Sequence, residues 1–402
     1  MKVIGIAAEY NPFHSGHAYL IERAKAVDGG AATHVVAVMS GHFVQRGAPA
    51  VLPKAERVKM ALAGGADAVI ELPTPWALSS AEGFARGCVS LLEALGCVDA
   101  MAFGSECGDA DKLQKAASLM DSERFGDLLR YRMAGGISYP EAQRKALAEI
   151  AGDNLAALLD SPNNTLGIEY IRAMKTLRPY TVKRAGVEHD DLIPLDGYAS
   201  ASLLRKMLAA GRSPEAGRFM PADCRPIVTE AGEKGFCPAD ETRAERALLY
   251  RLRQMTLEQM AALPAVSEGL ENRLYEAARE ATSYADLVAR IKTKRYPQTR
   301  VQRLLWNAYL GVTAEDAAGL PPYIRVLGVS EKGLDIVRAA REANILPVIT
   351  RASQAESLSP KAKRIWDLDA AAADAYALTL PTPFPCGREY TVGLIKYQPT
   401  AL

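Results

Sequence analysis

Val3-Ile4-Gly5-Ile6-Ala7-Ala8-Glu9-Tyr10-Asn11-Pro12-Phe13-His14-Ser15-Gly16-His17-Ala18-Tyr19-Leu20 stands at the start of the chain and decides its class. Residues 3–8 are apolar and β-branched at their start, the pattern of a parallel strand buried on both faces. From residue 18 to residue 27 apolar side chains return at helical spacing. His14 and His17 therefore sit at a strand-to-helix turn, where free backbone N–H groups and the positive end of the helix dipole attract phosphate. Three residues apart, the imidazoles share one face once the helix begins. Gly16 between them lets a ligand approach the backbone closely. Two ring donors, a glycine and a helix N-terminus suit a nucleoside triphosphate. Read structurally alone, they are two surface histidines at a helix start, one of them a cap.

Working outward, residues 1–104 alternate strand and helix. Strands are predicted over 33–39, 68–72 and 99–103, and helices over 54–63 and 79–95, the latter opened by a Ser79-Ser80 cap. This is an α/β pattern, a Rossmann-like, doubly wound parallel sheet, with ligands beyond the carboxyl ends of the strands. Three segments fall there: residues 9–17, the loop Ser40-Gly41-His42-Phe43-Val44-Gln45-Arg46-Gly47, and Gly104-Ser105-Glu106. Arg46 is suited to hold an anion through two parallel hydrogen bonds. In the helix over 54–63, Glu56, Arg57 and Lys59 are expected outside and Val58, Met60 and Leu62 inside, with Lys54 and Arg57 adding positive charge near the site.

Residues 108–160 read as a helical insertion or lid. Pro162-Asn163-Asn164 opens the next helix, and its Asn residues either cap that helix or read a bound nucleotide. A strand over 181–184 ends in Lys183 and Arg184, and a polar loop over 186–191 contains His189. The turn from Gly197 leads through Ser200 and Ser202 to Arg205. Its hydroxyls either cap the helix or, with the helix N-terminus and Arg205, meet the triphosphate from the side opposite His14 and His17. A nucleotide-binding domain over 1–210 results. Residues 211–238, rich in Pro, Gly and charge, read as a linker. Residues 239–320 read as a helical domain, with a helix expected from 268. Within it Lys294, Arg295, Arg300 and Arg303 cluster with Tyr296 and Trp306. Cations beside aromatics suit RNA; the alternative is a solvated basic face with Trp306 in the core. Residues 321–402 read as a small α/β C-terminal region.

The 402 residues carry a net charge of +1, which excludes a globally basic nucleic-acid binder and gives no case for DNA. Six scattered cysteines without a Cys-x-x-Cys pair argue against a zinc site or disulfide framework, and no other metal cluster stands out. No signal-peptide layout or membrane-spanning run is present, so a cytoplasmic protein with no membrane partner is expected.

His14-Ser15-Gly16-His17 resembles the His-x-Gly-His signature of the nucleotidyltransferases. With Met39-Ser40-Gly41-His42-Phe43-Val44-Gln45-Arg46-Gly47, Val69-Ile70-Glu71-Leu72-Pro73, Phe103-Gly104-Ser105-Glu106, the residues from Pro162 to Tyr170, and Thr293-Lys294-Arg295-Tyr296, the chain resembles the bacterial tRNA(Met) cytidine acetate ligases. His42 departs from the Asn usual there, and Glu188 from the aromatic usual before His189. The resemblance implies ATP contacts from the whole segment 7–20, Gly104, Asn163 and Arg184. The residues themselves suggest catalytic roles for His14, His17 and Arg205, and an acetate or phosphate loop at Ser40, Gly41, Arg46 and Gly47. The basic cluster then reads as tRNA contact through Lys294, Arg295, Arg300 and Arg303, and, with no metal-ligand cluster in the sequence, Mg²⁺ is expected to arrive with ATP. The activity implied is acetylation of the wobble cytidine of elongator tRNA(Met) through acetyl adenylate. Two other readings of the residues stay open: an adenylyltransferase making a small-molecule cofactor, and a non-catalytic RNA-binding protein with a relic nucleotide site.

Overall fold

The computed structural model describes residues 1–30, 34–184, 198–267 and 269–398. Thr33, the loop over 186–191 with Glu188 and His189, Gly197 and residue 268 lie outside them. Among the described residues ten strands occur in chain order: β1 (Val3–Ala8), β2 (His34–Ser40), β3 (Phe43–Val44), β4 (Ala48–Pro49), β5 (Ala68–Leu72), β6 (Ala100–Ser105), β7 (Arg178–Lys183), β8 (Ile324–Val329), β9 (Val348–Ile349) and β10 (Ile395–Lys396). β3 and β4 form a small antiparallel hairpin. The others make one sheet in the order β10-β8-β5-β2-β1-β6-β7, with β9 also on β8. β5, β2, β1, β6 and β7 are parallel. Their order reverses at β1, which puts a crevice beyond the carboxyl ends of β1 and β6.

The period-2 alternation of the strands divides the core. Ile4, Ile6, Val35, Ala37 and Met39 pack on one face with the helices Ser15–Lys25, Lys54–Ala63 and Ala201–Ala209. Val3, Val36, Val38, Ile70 and Leu72 pack on the other with Ala81–Ala94 and Pro162–Ala173. Ser80 caps the helix Ala81–Ala94, as its sequence predicts.

Three expectations change. Residues 211–238 are not a linker. They form the helices Ser213–Gly217 and Arg225–Glu233, and Ala216, Met220, Cys224 and Val228 join the core. Pro214 and Pro226 stand in the first turns of those helices, where proline has no hydrogen bond to lose. The strands of 321–402 build no sheet of their own: β8 runs antiparallel on β5, and β10 and β9 flank β8. Finally, Lys54, Glu56 and Arg57 are buried, and of the expected outer residues only Lys59 is exposed.

The burial of Lys54 has a partner set. Its Nζ lies 2.6 Å from Glu71 Oε1 and 2.8 Å from Glu389 Oε2. Arg325 reaches Glu71 Oε2 at 3.0 Å and also pairs with Glu389. Two cations and two carboxylates thus tie β5, β8, the helix Lys54–Ala63 and the C-terminal helix Arg388–Thr391 together away from water. Removing one member of such a set strands a charge in the interior. Glu389→Ala is expected to lower the unfolding free energy by ~3–5 kcal/mol. Glu149→Ala, which breaks an exposed pair with Arg132, is expected to change it by under ~1 kcal/mol. Denaturant midpoints shifted equally by the two would contradict this.

Candidate functional site

The turn after β1 is held from several directions. Tyr10 takes a left-handed φ of +48° and is buried, a conformation that persists only where its surroundings fix it. Asn11 Oδ1 accepts from Val51 N at 2.7 Å, and Arg205 Nη1 donates to Asn11 O at 2.9 Å. Arg57 Nη1 donates to Glu9 O at 2.7 Å. Pro12 and Phe13 fill core beneath.

The helix Ser15–Lys25 then opens with a capping box made of histidines. His14 is the N-cap, and its Nδ1 accepts from Gly16 N at 3.1 Å. His17 Nδ1 accepts from His14 N at 3.3 Å. The rings stack with centroids 3.8 Å apart. A Cβ on Gly16 would lie 2.9 Å from His14 Cε1, so glycine is needed for this ring pose. Because both Nδ1 atoms accept backbone protons, the hydrogen-bond network assigns the ring proton of each neutral imidazole to Nε2. Burial, followed by His14 and Arg184, holds the His17 pKa well below the usual histidine value. His14 is thus both cap and candidate ligand.

These residues line a cavity of about 720 Å³, within the ~300–1,000 Å³ of small-molecule sites. Ala7, Ala8, Glu9, Tyr10, Asn11, Tyr19 and Leu20 line it with the histidines and Gly16. Pro12, Phe13, Ser15 and Ala18 do not; Ser15 Oγ instead donates to Phe219 O at 2.9 Å. Gly104, Asn163, Lys183, Arg184, Ser200, Ser202 and Arg205 converge from β6, the helix Pro162–Ala173, the end of β7 and the start of the helix Ala201–Ala209. Ser200 caps that helix, accepting from Leu203 N at 3.1 Å. Arg205 Nη2 donates to Ser202 Oγ at 3.0 Å. Asn163 donates to Glu106 Oε1 at 2.7 Å. Glu106 also accepts from the backbone N–H groups of Asn163 and Asn164, so an acid, not an asparagine, serves the start of that helix. Asn164 is buried, with Oδ1 accepting from Cys107 N.

Of the loop 40–47, Arg46 lies on the cavity wall and is exposed. Ser40 and Gly41 are buried and do not line the cavity. Gly47 has φ +75°, and a Cβ there would meet Arg303 N at 2.4 Å, so this glycine permits backbone contact with the helix Gln298–Leu310. Gln45 N–H donates to Glu9 Oε1 at 2.7 Å. Lys54 and Arg57, expected to add charge to the site, are absent from its wall. Lys54 belongs to the buried ion set, and Arg57 holds backbone carbonyls.

Among the basic residues, Lys294 and Arg295 are exposed. Arg300 lies half-buried, 5.1 Å over the Tyr296 ring. Tyr296 and Trp306 are buried, so neither offers a face for a base. Arg303 turns inward and donates to Gln45 O at 3.2 Å; burial and then Arg300 lower its pKa to about 10. The sequence reading missed the cavity wall from Pro238 to Arg243, and the Glu9–Gln45–Arg303 connection. Neither has a local signal, because both arise where distant segments meet.

The chain matches the family model of the HIGH Nucleotidyl Transferase over residues 1–387. It is 37% identical to a tRNA(Met) cytidine acetate ligase of Acetivibrio thermocellus, over 98% of this chain and 100% of that protein. It is 38% identical to one of Syntrophotalea carbinolica, over 95% of each. The apo crystal structure of Thermotoga maritima TmcAL superposes with a TM-score of 0.92 at 31% identity, covering 99% of this chain and 100% of that one. The same protein bound with alpha-thio ATP gives 0.89 at 30% identity, with the same coverage.

His42 lies beside the buried ion set, its Nε2 3.3 Å from Glu389 Oε1. Burial above all lowers its pKa from 6.5 to about 4, Glu389 opposing and Lys54 and Arg57 adding. The folded value is below the unfolded one, so as pH falls from 6.5 towards 4 the unfolded chain takes up the proton first and stability is lost. His42→Asn removes that loss, flattening the acid side of the stability curve by on the order of a few kcal/mol. Thermal unfolding of both proteins across that range checks it; parallel curves would contradict it.

Proposed function

The chain belongs to the HIGH nucleotidyl transferases and, among them, to the tRNA(Met) cytidine acetate ligases, and we propose how its own residues divide the reaction. It is an ATP-dependent ligase. An acetate oxygen attacks the α-phosphorus of ATP, pyrophosphate leaves, and acetyl adenylate remains. The N4 amine of the wobble cytidine of elongator tRNA(Met) then attacks the acetyl carbon and AMP leaves.

The observation that carries the assignment is the convergence of His14, His17, Arg184 and Arg205 on one cavity. The two Nε2–H groups and the helix N-terminus take the triphosphate from one side. Arg184 and Arg205, with Lys183 nearby, take it from the other. Gly104 and Asn163 lie where adenosine is held, and Arg46 where the acetate carboxylate or a phosphate is met. The first step needs little proton transfer, so positioning and charge neutralisation dominate. No group of three His, Cys, Asp or Glu among the described residues could hold a metal ion. Mg²⁺ is therefore read as travelling on the oxygens of ATP, and no step is assigned to it. Lys294, Arg295 and Arg300 form the tRNA side, in the helical region 239–320, and the anticodon base must leave its stack to enter the cavity. No helix among the described residues is long and apolar enough to cross a membrane. The reading puts the protein in the cytoplasm, with ATP and tRNA.

The test is pyrophosphate release with and without acetate, and transfer of labelled acetyl to bulk bacterial tRNA. Acetate-dependent release with label on cytidine is expected. Release indifferent to both would indicate an adenylyltransferase with another acceptor, and tRNA binding without release a relic site. His17→Ala should lose ~3 kcal/mol of transition-state stabilisation, about a hundredfold in rate; full adenylation by that variant would remove His17 from the mechanism.

A further inference from the structure

The second step releases a proton. As the cytidine N4 bonds to the acetyl carbon, the carbon–oxygen bond to AMP breaks, AMP leaves with the electron pair, and one amine proton must go to a base. The histidines do not supply it. Each Nδ1 already accepts a backbone N–H, which leaves each Nε2 bearing its proton. Among the described residues, the acidic ones on the cavity wall are Glu9, Asp240 and Glu241. Asp240 Oδ1 is occupied as the N-cap of the helix Glu241–Gln254, accepting from Thr242 N and Oγ1. Glu241 stands in the first turn of that helix, where its charge meets the positive end of the helix dipole.

Glu9 differs in position and in attachments. It stands at the end of β1, beside the histidine turn, in the wall that meets the triphosphate. Gln45 N–H fixes its Oε1 at 2.7 Å, and among the described residues no donor is found on Oε2. The residue that fixes it is also the one the basic helix touches, since Gln45 O accepts from Arg303. Glu9 is thus the wall carboxylate joined both to the nucleotide turn and to the helix on the tRNA side.

We propose that Glu9 accepts the N4 proton of the cytidine during acetyl transfer, held for that role by Gln45 and, through it, by Arg303. This rests on the ligase reading above. The charged groups facing Glu9 are Arg205, Arg46 and Arg57, and beneath it lie Cys88 and Tyr170, whose raised pKa values keep them neutral. Burial raises the Glu9 pKa above 4.5 despite the Gln45 N–H and those three arginines. As pH falls through that raised value Glu9 takes up a proton and can accept no other, so transfer declines on the acid side.

The test uses the full-length protein, labelled acetate, ATP and bulk tRNA. It measures acetate-dependent exchange of labelled pyrophosphate into ATP, and acetyl transfer, both as a function of pH. In Glu9→Gln, which keeps an oxygen for the Gln45 N–H, transfer is expected to fall about a hundredfold beyond any fall in exchange, and its acid limb to vanish. Glu9→Asp, which keeps the carboxylate, is expected to retain the limb and recover part of the rate. Transfer falling only in proportion to exchange, an acid limb surviving in Glu9→Gln, or an Asp variant as flat with pH as the Gln variant would overturn the proposal and leave the ligase reading standing. Wild-type protein showing no acetate-dependent exchange would overturn both.

Discussion

A single buried guanidinium sets the geometry of the site. Arg57, with no exposed surface, donates from Nε to Leu52 O at 3.1 Å, from Nη1 to Glu9 O at 2.7 Å and Ser40 O at 3.1 Å, and from Nη2 to Gly41 O. Those carbonyls belong to the end of β2, the turn after β1 and the approach to the helix Lys54–Ala63. Buried and unpaired, each would cost on the order of 1–3 kcal/mol. Burial lowers the Arg57 pKa to about 10, still high enough to keep the charge at neutral pH. A lysine has no planar fork with which to span carbonyls arriving from these directions. The loop 40–47, the turn 9–13 and the Glu9 backbone are thus located from one point.

The second constraint lies in the histidine turn. A capping histidine usually satisfies one orphan N–H of the helix. Here two histidines do so reciprocally, and the chemical result is a pair of rings with fixed tautomers. Fixing the tautomer by backbone donors makes both rings donors, as contact with phosphate oxygen requires. It also moves the burden of proton acceptance elsewhere on the cavity wall. Structure and chemistry are not competing explanations of His14: the cap orients the ring.

The nucleotide half of the fold was legible because its signals are local. β1 and β5 and the helix Lys54–Ala63 carry the boundaries read from periodicity, and β2 and β6 differ by a residue or two at their ends. The cavity wall was legible where it follows from the strand-turn-helix pattern, as at His14, His17 and Gly104. Arg57 was misread because a cation in an amphipathic helix ordinarily faces water, and only the convergence of distant carbonyls reverses that. Pro214 and Pro226 suggested a linker for the reason that they begin short helices: proline fixes φ without needing a donor. The pairing of β8 with β5 joins residues more than two hundred positions apart, and no local pattern carries such information. Arg303 was read as a tRNA contact beside Arg300, but it turns inward to Gln45 O, and the loop that Gly47 brings against its helix was invisible in the local sequence.

The central claim is that ATP lies in the crevice beyond β1 and β6, with its triphosphate between His14 and His17 on one side and Arg184 and Arg205 on the other. A crystal structure of this protein with a non-hydrolysable ATP analogue tests it most directly. The account predicts phosphate oxygens within hydrogen-bond reach of both Nε2 atoms and of the two guanidinium groups, with adenosine toward Gly104 and Asn163. Nucleotide bound outside this cavity, or seated with its base against the histidines and its phosphates elsewhere, would contradict it.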